Sequence, residues 1–594
     1  MNAKLFPSDF SLQETIQLFS CDVEDHIVLD KLLNKWKSSD RLCISDILKD
    51  INYSETFNHR RFVYSKISSE IVKRTLLHNQ ERSLLPYFRS AFIEEWHDSL
   101  IRELDYVLLS DASLVVKTRT LSNMADLLSV MAGNTGVLRS GPGSNPAWKI
   151  AFTKLLNGDI VEGMKLLQNE RSLWMNRPDH LMRAARHYER ATQILIERSV
   201  KTVRKFIILS ECSMPDIGVC ITAECPARID LQGGWSDTPP VCYELGGSVV
   251  NIAVLVDGKK PIGAQAFRTE KPIIHLKIKL KEMYHEILIE EMKDILNYDQ
   301  PNAPGALLKA ALIYSNIVDI HSEHSLCDQL FSKFGGGFVV QTWSLLPQGC
   351  GMGTSSILAS AVISVLWYVT GKKFNKLSVV HAVLHIEQLL TTGGGWQDQV
   401  SGVMGGINRG FSEATLPLHV QVKPLQLSEN IVDKLNSHLL LIYTGKVRLA
   451  KNLLQTVIRN WYARDDTVVK CFKNLITYSM QMKEALQKGD LEKVGHLMNT
   501  YWEQKKILAP GCEPANVKRI MDLLRPLCFG QLLVGAGGGG FMCILTQEEN
   551  ALEIVRTRLS SLMENSKIEV HTPTIDLAGL SIHWNFYRKY YGKK

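Results

Sequence analysis

The 594-residue sequence predicts an α+β protein, with a mainly helical accessory segment followed by two mixed domains. The length exceeds what one hydrophobic core holds and, at about 150 residues per domain, asks for roughly three or four compact units. Glycine is uneven, with six of 40 before position 201 and 34 after it, so tight turns and close backbone approaches gather in the later part. Strand patterns of period two, interleaved with apolar helices, begin only beyond residue 215. The predicted divisions are 1–210 for the helical segment, 211–425 for the first mixed domain and 426–594 for the second.

In chain order, Ser11-x-x-Glu14 has the pattern of a capping box, and charge-laced Ser68 to Leu77 and the periodic run from Asp179 towards Ile207 predict helices. Gly141-Pro142-Gly143-Ser144-Asn145-Pro146 has prolines and no lysine, so it reads as an interhelical turn, not a phosphate loop. Val219, Ile221 and Ala223 alternate as a strand. So do Ile274, Leu276, Ile278 and Leu280, whose His275, Lys277 and Lys279 give that strand one wet face. Phe338–Leu345 is a strand leading into a glycine-rich loop, and Ser355–Val369 and Leu377–Leu390 are apolar helices. Leu418–Val422 and Leu439–Tyr443 are further strands, 445 to 532 is mainly helical, and Leu532–Leu545 is a strand, glycine loop and strand.

Apolar residues at 45% and charged residues at 22% exclude a mainly disordered, collagenous or coiled-coil chain. The longest apolar run, Ile357 to Val369, is shorter than the ~20 residues of a membrane span. No basic flank leads into an apolar core at the start, so secretion is not signalled, and the cytoplasm is the expected compartment. Twelve cysteines without a CxxC pair predict reduced thiols and no cysteine-zinc site. The formal charge of +7 is spread thinly over a large chain and argues against nucleic acid, while suiting an anionic small substrate.

Three segments carry chemistry. The first in information is Leu346-Pro-Gln-Gly349-Cys350-Gly351-Met352-Gly353-Thr354-Ser355-Ser356, between a strand and a helix. Gly349, Gly351 and Gly353 lack Cβ atoms, so backbone N–H groups can converge on phosphate oxygens at a helix N-terminus. Thr354 follows the last glycine where a Walker A loop needs lysine, so a different phosphate-binding fold is implied. The second is Pro226-Ala-Arg228-Ile-Asp-Leu-Gln-Gly-Gly-Trp235-Ser-Asp237-Thr-Pro-Pro240. Arg228 suits a transferring phosphoryl group, and Asp237 suits vicinal sugar hydroxyls. The third pairs Glu387 with Gly393-Gly-Gly-Trp396-Gln-Asp398-Gln. Magnesium on ATP phosphates prefers hard oxygens, so Glu387 with Ser355 or Ser356 is an apt ligand set. Asp398 is then free to orient or deprotonate the attacking hydroxyl. His381-x-x-x-His385-x-Glu387 lacks the HExxH order and a third ligand, so packed or surface histidines are expected. Trp235 and Trp396 are expected to anchor loops or core.

The ordered trio resembles the GHMP small-molecule kinases, over about residues 215–594. Its first motif is closer to the fucose and heptose kinases of that superfamily than to the GEHTDY-like motif of galactokinases. The preceding helical segment is also similar to the region joined to the kinase in eukaryotic fucose kinases. The resemblance implies ATP-dependent phosphorylation of the anomeric hydroxyl of L-fucose, giving L-fucose 1-phosphate and ADP on the way to GDP-fucose. It implies that Gly349, Gly351, Gly353, Thr354, Ser355 and Ser356 bind ATP phosphates with Mg²⁺, and that Glu387 and Ser355 are metal ligands. Asp398 becomes the base, Arg228 its catalytic companion and Asp237 a sugar ligand. Gly535, Gly537, Gly538, Gly539 and Gly540 become a third motif that supports the phosphate loop. Heptose phosphorylation and a catalytically silent sugar or nucleotide sensor are the alternatives, and oligomeric state is left open.

Overall fold

A computed structural model of the chain describes residues 4, 6–11, 14, 18, 26–49, 52–133, 145–280, 283–300, 303–390, 393–445, 450–563 and 567–586. Two compact units emerge, one of residues 1–154 with 159–189, the other of residues 155–158 with 190–594.

The first unit is helical, as its sequence predicts. Ser11 and Glu14 form the capping box, Ser11 N donating to Glu14 Oε2 at 2.8 Å and Glu14 N to Ser11 Oγ at 3.1 Å. The turn expected around Gly141 lies outside the described residues up to Ser144. Helix Tyr53–Leu77 ends against buried Arg119, which donates to Gln80 O at 2.7 Å and Arg82 O at 3.0 Å. A buried cation thus satisfies carbonyls just beyond the helix end. Arg171 holds Asp105 through two nitrogens at 2.8 and 2.5 Å, and also Tyr188 Oη at 2.9 Å.

The second unit holds three main sheets. In the six-stranded sheet the order is Ser581–Phe586, Val219–Cys225, Ile262–Thr269, Gly337–Ser344, Ile274–Leu280 and Met283–Ile289. Only Gly337–Ser344 and Ile274–Leu280 run parallel, and helices Ala306–Tyr314 and Leu326–Phe334 occupy the crossover between them. The alternation along Ile274–Leu280 is realised, with Ile274 and Leu276 buried and Lys279 exposed. In the second sheet, Gly247–Val256 pairs with Ile407–Ser412, Ala227–Gln232 and Pro573–Ile575. The third is antiparallel, in the order Cys528–Leu533, Phe541–Thr546, Leu439–Thr444 and Ile568–His571.

Helix Thr354–Val369 packs on strands Ile262–Thr269 and Val219–Cys225 and is buried over nearly its whole length. Its two interior serines are satisfied locally, Ser360 Oγ donating to Ser356 O at 2.9 Å and Ser364 Oγ to Ser360 O at 2.7 Å. An all-round apolar sequence therefore makes a core helix here, and among the described residues no helix is long and apolar enough to cross a membrane.

One strand expectation needs correction. Pairing begins at Gln421, in strand Gln421–Pro424, and not at Leu418. Leu418 N donates to Thr202 Oγ1 at 3.2 Å and Val420 N to His381 Nε2 at 3.1 Å. Side chains take the donors a ladder would need, so the apolar alternation reflects burial without sheet pairing.

Candidate active site

Strand Ala227–Gln232 sends Arg228 and Asp230 to one face and Ile229 to the other. A register shift between Asp230 and Gln232 ends regular pairing as the chain turns into Gly233 and Gly234. Arg228 donates Nε to Asp398 Oδ1 at 2.7 Å and Nη2 to the same oxygen at 2.5 Å. Its Nη1 donates to Gly351 O at 2.5 Å and reaches Asp230 Oδ1 at 3.2 Å. The Arg228 side chain is 3% exposed and that of Asp398 is 24% exposed, so the carboxylate is the open end of this pair. Burial opposes a charge on Arg228, but Asp398 and Asp230 beside it hold the guanidinium firmly cationic. Asp398 lies in the first turn of helix Gln397–Met404, where the helix dipole favours a negative group.

The predicted phosphate loop closes on helix Thr354–Val369 as its sequence requires. Gly349, Gly351 and Gly353 have φ of 70°, 83° and 76°, the left-handed region open to glycine, and Gly353 is the helix N-cap. The late glycine run is packed against this loop, backbone on backbone. A Cβ on Gly351 would stand 2.4 Å from Val534 O, one on Gly535 would stand 2.6 Å from Gly351 O, and one on Gly540 would stand 2.2 Å from Cys350 O. Phe541 N donates to Cys350 O at 2.8 Å, fixing the contact. Gly538 N donates to Cys512 O at 2.6 Å, Gly537 also abuts Cys512, and Gly539 completes the turn with φ of 135°.

Ser356 Oγ donates to Glu387 Oε1 at 2.7 Å, with both residues buried, while Ser355 is exposed and Thr354 Oγ1 lies 3.4 Å from Cys350 Sγ. Among the described residues, no group of three or more His, Cys, Asp or Glu side chains is arranged to hold a metal ion. One carboxylate and one hydroxyl beside a phosphate loop nevertheless match Mg²⁺, which takes one or two protein oxygens and completes its shell with phosphates and water.

Asp237 is buried. Its Oδ1 accepts Trp235 N at 2.9 Å and its Oδ2 accepts Gln397 N at 3.1 Å, tying the first motif to the residue before Asp398. Gly395 allows the approach, since a Cβ there would stand 2.0 Å from Asp237 Oδ2. Burial, reinforced by repulsion from Asp398 and opposed by the two backbone donors, pushes the Asp237 carboxyl up to about 7. Trp396 is fully buried against Gly247 and Gly410, and Trp235 is buried with φ of 74°, so both serve as anchors.

The paired histidines are packing groups. His381 Nδ1 bonds to Leu377 O at 2.8 Å and its Nε2 accepts Val420 N, while His385 Nδ1 accepts Arg204 Nε at 3.2 Å. Burial lowers them to about 4 and about 3 respectively. Three other groups enter the site that its motifs did not single out. Asp230, Tyr501 and Lys505 form a buried cluster with Arg228, and burial, which would raise the Asp230 carboxyl, is outweighed by Lys505 and Arg228. The amide oxygen of Gln397 and both amide atoms of Gln232 are buried without a hydrogen-bonding group of the protein. A Cβ on Gly234 would stand 2.7 Å from Gln397 Oε1 and 2.2 Å from Tyr501 Oη, so only a glycine lets these two polar groups pack so closely on the first motif.

Comparison with known proteins agrees with the motif order. Residues 320–406 match the GHMP kinases N terminal domain and residues 482–565 the GHMP kinases C terminal domain. The chain is 35% identical over 341 residues to the bifunctional fucokinase/GDP-fucose pyrophosphorylase of Arabidopsis thaliana, covering 57% of this chain and 31% of that one. It is 30% identical over 368 residues to the L-fucokinase/L-fucose-1-P guanylyltransferase of Bacteroides fragilis, covering 60% and 38%. Against the D-glycero-alpha-D-manno-heptose 7-phosphate kinase of Campylobacter jejuni it is 26% identical over 341 residues, covering 57% and 93%. The chain thus spans roughly a third of the length of the first two relatives.

Proposed function

We propose that the chain is a GHMP kinase, an ATP-dependent sugar kinase that phosphorylates the anomeric hydroxyl of L-fucose. The observation that carries the chemistry is the open Asp398 carboxylate, held by buried Arg228 beside the glycine-rich helix N-terminus. The substrate rests on the two fucokinase relatives and on the unpaired amide oxygen of Gln397, a group that a sugar hydroxyl satisfies. Residues 211–425 and 426–594 serve as its N- and C-terminal kinase domains and residues 1–210 as an accessory segment. The free thiols among the described residues suit a cytoplasmic enzyme.

In this reading, backbone N–H groups of residues 349–353 and the dipole of helix Thr354–Val369 receive the phosphates of ATP. The anomeric oxygen attacks the γ-phosphorus, its proton passes to Asp398, and the bond to the β,γ-bridging oxygen breaks to release ADP. Arg228 keeps Asp398 oriented and presents positive charge near the transferring group. Ser356 and Glu387, with Ser355 beside them, would hold Mg²⁺, which when bound offsets phosphate charge. The product is a sugar 1-phosphate, a substrate for nucleotidyl transfer to GDP-fucose.

The test is ADP release by the purified chain with ATP and Mg²⁺, comparing L-fucose, D-galactose and heptoses, with Asp398→Asn as background. Fucose-dependent turnover above that background is the expected result. Preference for a heptose, the reading favoured by the heptose kinase relative, would overturn the substrate. Nucleotide binding without turnover of any sugar would replace the kinase with a sensor.

Two further results are expected. Gly351→Ala places a methyl group against Val534 O in a left-handed position. It is expected to lower stability by about 1–3 kcal/mol and nucleotide affinity by about tenfold or more, read by denaturant midpoint and fluorescent-nucleotide titration. Asp237 has a folded-state value of about 7 against an ordinary 3.8, so between those limits the native chain holds the extra proton. Its contribution is present below about pH 4 and lost as pH rises through about 7, a fall of as much as about 4 kcal/mol. Asp237→Asn is expected to remove that slope from unfolding curves between pH 4 and 7. It is also expected to raise KM for L-fucose by about tenfold, the scale of a hydrogen bond to a charged group. An unchanged KM would remove Asp237 from sugar binding.

A further inference from the structure

Arg228, Asp230, Lys505 and Asp398 form one alternating chain of charges. Asp230 is fully buried and accepts four hydrogen bonds, from Arg228 Nη1 at 3.2 Å and Gly535 N at 2.8 Å on Oδ1, and from Tyr501 Oη and Lys505 Nζ, both at 2.8 Å, on Oδ2. These fill the acceptor sites of a carboxylate. The Lys505 side chain is 1% exposed; its ammonium also donates to Gly535 O at 2.5 Å and lies 4.4 Å from the centre of the Tyr501 ring. The order Asp398, Arg228, Asp230, Lys505 sums to zero charge, and only Asp398 opens to solvent.

The geometry within this chain is lopsided. Arg228 gives two nitrogens to Asp398, at 2.7 and 2.5 Å, and only one longer contact to Asp230. Two carboxylates compete for one guanidinium, and the fully buried, less solvated Asp230 would be the stronger competitor were it unopposed. Lys505 neutralises that competitor. Through Gly535 O the same ammonium also anchors the third glycine run where it abuts Gly351. The charged and titratable groups around Asp230 include Arg228 from its own strand, Tyr501 and Lys505 from helix Leu491–Leu508 and the buried Cys543 thiol from strand Phe541–Thr546, with Asp398 beyond Arg228.

We propose that Lys505 is a positioning residue for phosphoryl transfer, which, by occupying Asp230, leaves Arg228 turned towards Asp398. The proposal rests on the kinase reading above, with Asp398 as base. Nothing in the three motifs assigns a role to Lys505, which lies outside all of them.

The test uses the full chain with Lys505→Gln, which keeps a donor and drops the charge, and the double variant Asp230→Asn/Lys505→Gln, which drops both charges. Steady-state kcat and KM for ATP and L-fucose are measured, and crystal structures of both variants are solved. Lys505→Gln is expected to lower kcat by about tenfold to a hundredfold with either KM changed by less than about threefold, because a displacement near 1 Å at a reacting group has that effect. Its structure should show Arg228 moved off Asp398 onto Asp230. The double variant should return kcat to within about threefold of the parent, with Arg228 back on Asp398. Full kcat in Lys505→Gln, or equal loss in both variants with Arg228 in place, overturns the proposal. Should the single variant not fold, the double one decides: a folded double variant with lost kcat or displaced Arg228 refutes positioning. A parent chain inert towards every sugar refutes the kinase reading instead, and the Arg228 positions in the two variant structures still decide the role of Lys505.

Discussion

Asp398→Asn is expected to lower kcat for L-fucose by ~10²–10⁴-fold, the range over which a positioned general base acts, while nucleotide binding stays within a few-fold of the parent. The amide has the size of the carboxylate and keeps an oxygen that can accept from Arg228 Nε and Nη2, so the seat survives. What it loses is the ability to accept a proton from the attacking hydroxyl. The substitution leaves buried Arg228 still paired with Asp230 and bonded to Gly351 O. Coupled ADP release over pH 6 to 9, with thermal unfolding to verify the fold, makes the measurement. Turnover within about threefold of the parent would mean that the sugar hydroxyl needs no protein base here and that Asp398 only orients Arg228.

The fold was largely legible because its strongest signals are local. Helix Thr354–Val369 is written in an apolar run behind Gly353 that only serines interrupt, and the strand, glycine loop and strand of Leu532–Leu545 is realised as Cys528–Leu533 and Phe541–Thr546. The misplaced strand at Leu418 shows the limit: period-two burial says which side chains point inward and nothing about which atom receives each backbone N–H.

The candidate site divides the same way. The glycines announce themselves, since few residues other than glycine tolerate the φ angles of positions 349, 351 and 353 or the contact of Gly351 with Val534. Motif order assigned Arg228 and Asp398, 170 positions apart, to one site, and the fold adds the hydrogen bond between them. Asp230 could have been suspected from its i,i+2 spacing to Arg228 on a buried strand. Lys505 could not, because helix Leu491–Leu508 places it among ordinary surface-type neighbours such as Glu503 and Lys506. A lone lysine reads as solvated until the fold puts a buried carboxylate opposite it.

Arg228→Ala is expected to reduce kcat about 10³-fold, and Arg228→Lys to recover only part of that loss, remaining ~10–10²-fold below the parent. The guanidinium reaches three acceptors in fixed directions, Asp398 Oδ1, Gly351 O and Asp230 Oδ1. An ammonium at the end of a lysine chain can meet one or two of these and not all three. Lysine would therefore keep the charge of the cluster, and with it the fold, while leaving Asp398 or the Gly351 carbonyl without its donor. The two variants separate charge from geometry: equal losses would show that the forked donor set carries the effect, and full recovery by lysine would show that charge alone suffices. Because Asp230 keeps Lys505, Tyr501 and the Gly535 N–H in both, neither variant leaves a buried carboxylate without a donor. A fall in kcat at nearly constant melting temperature is the signature expected of a residue that acts on the transferring group, measured by steady-state kinetics beside thermal unfolding.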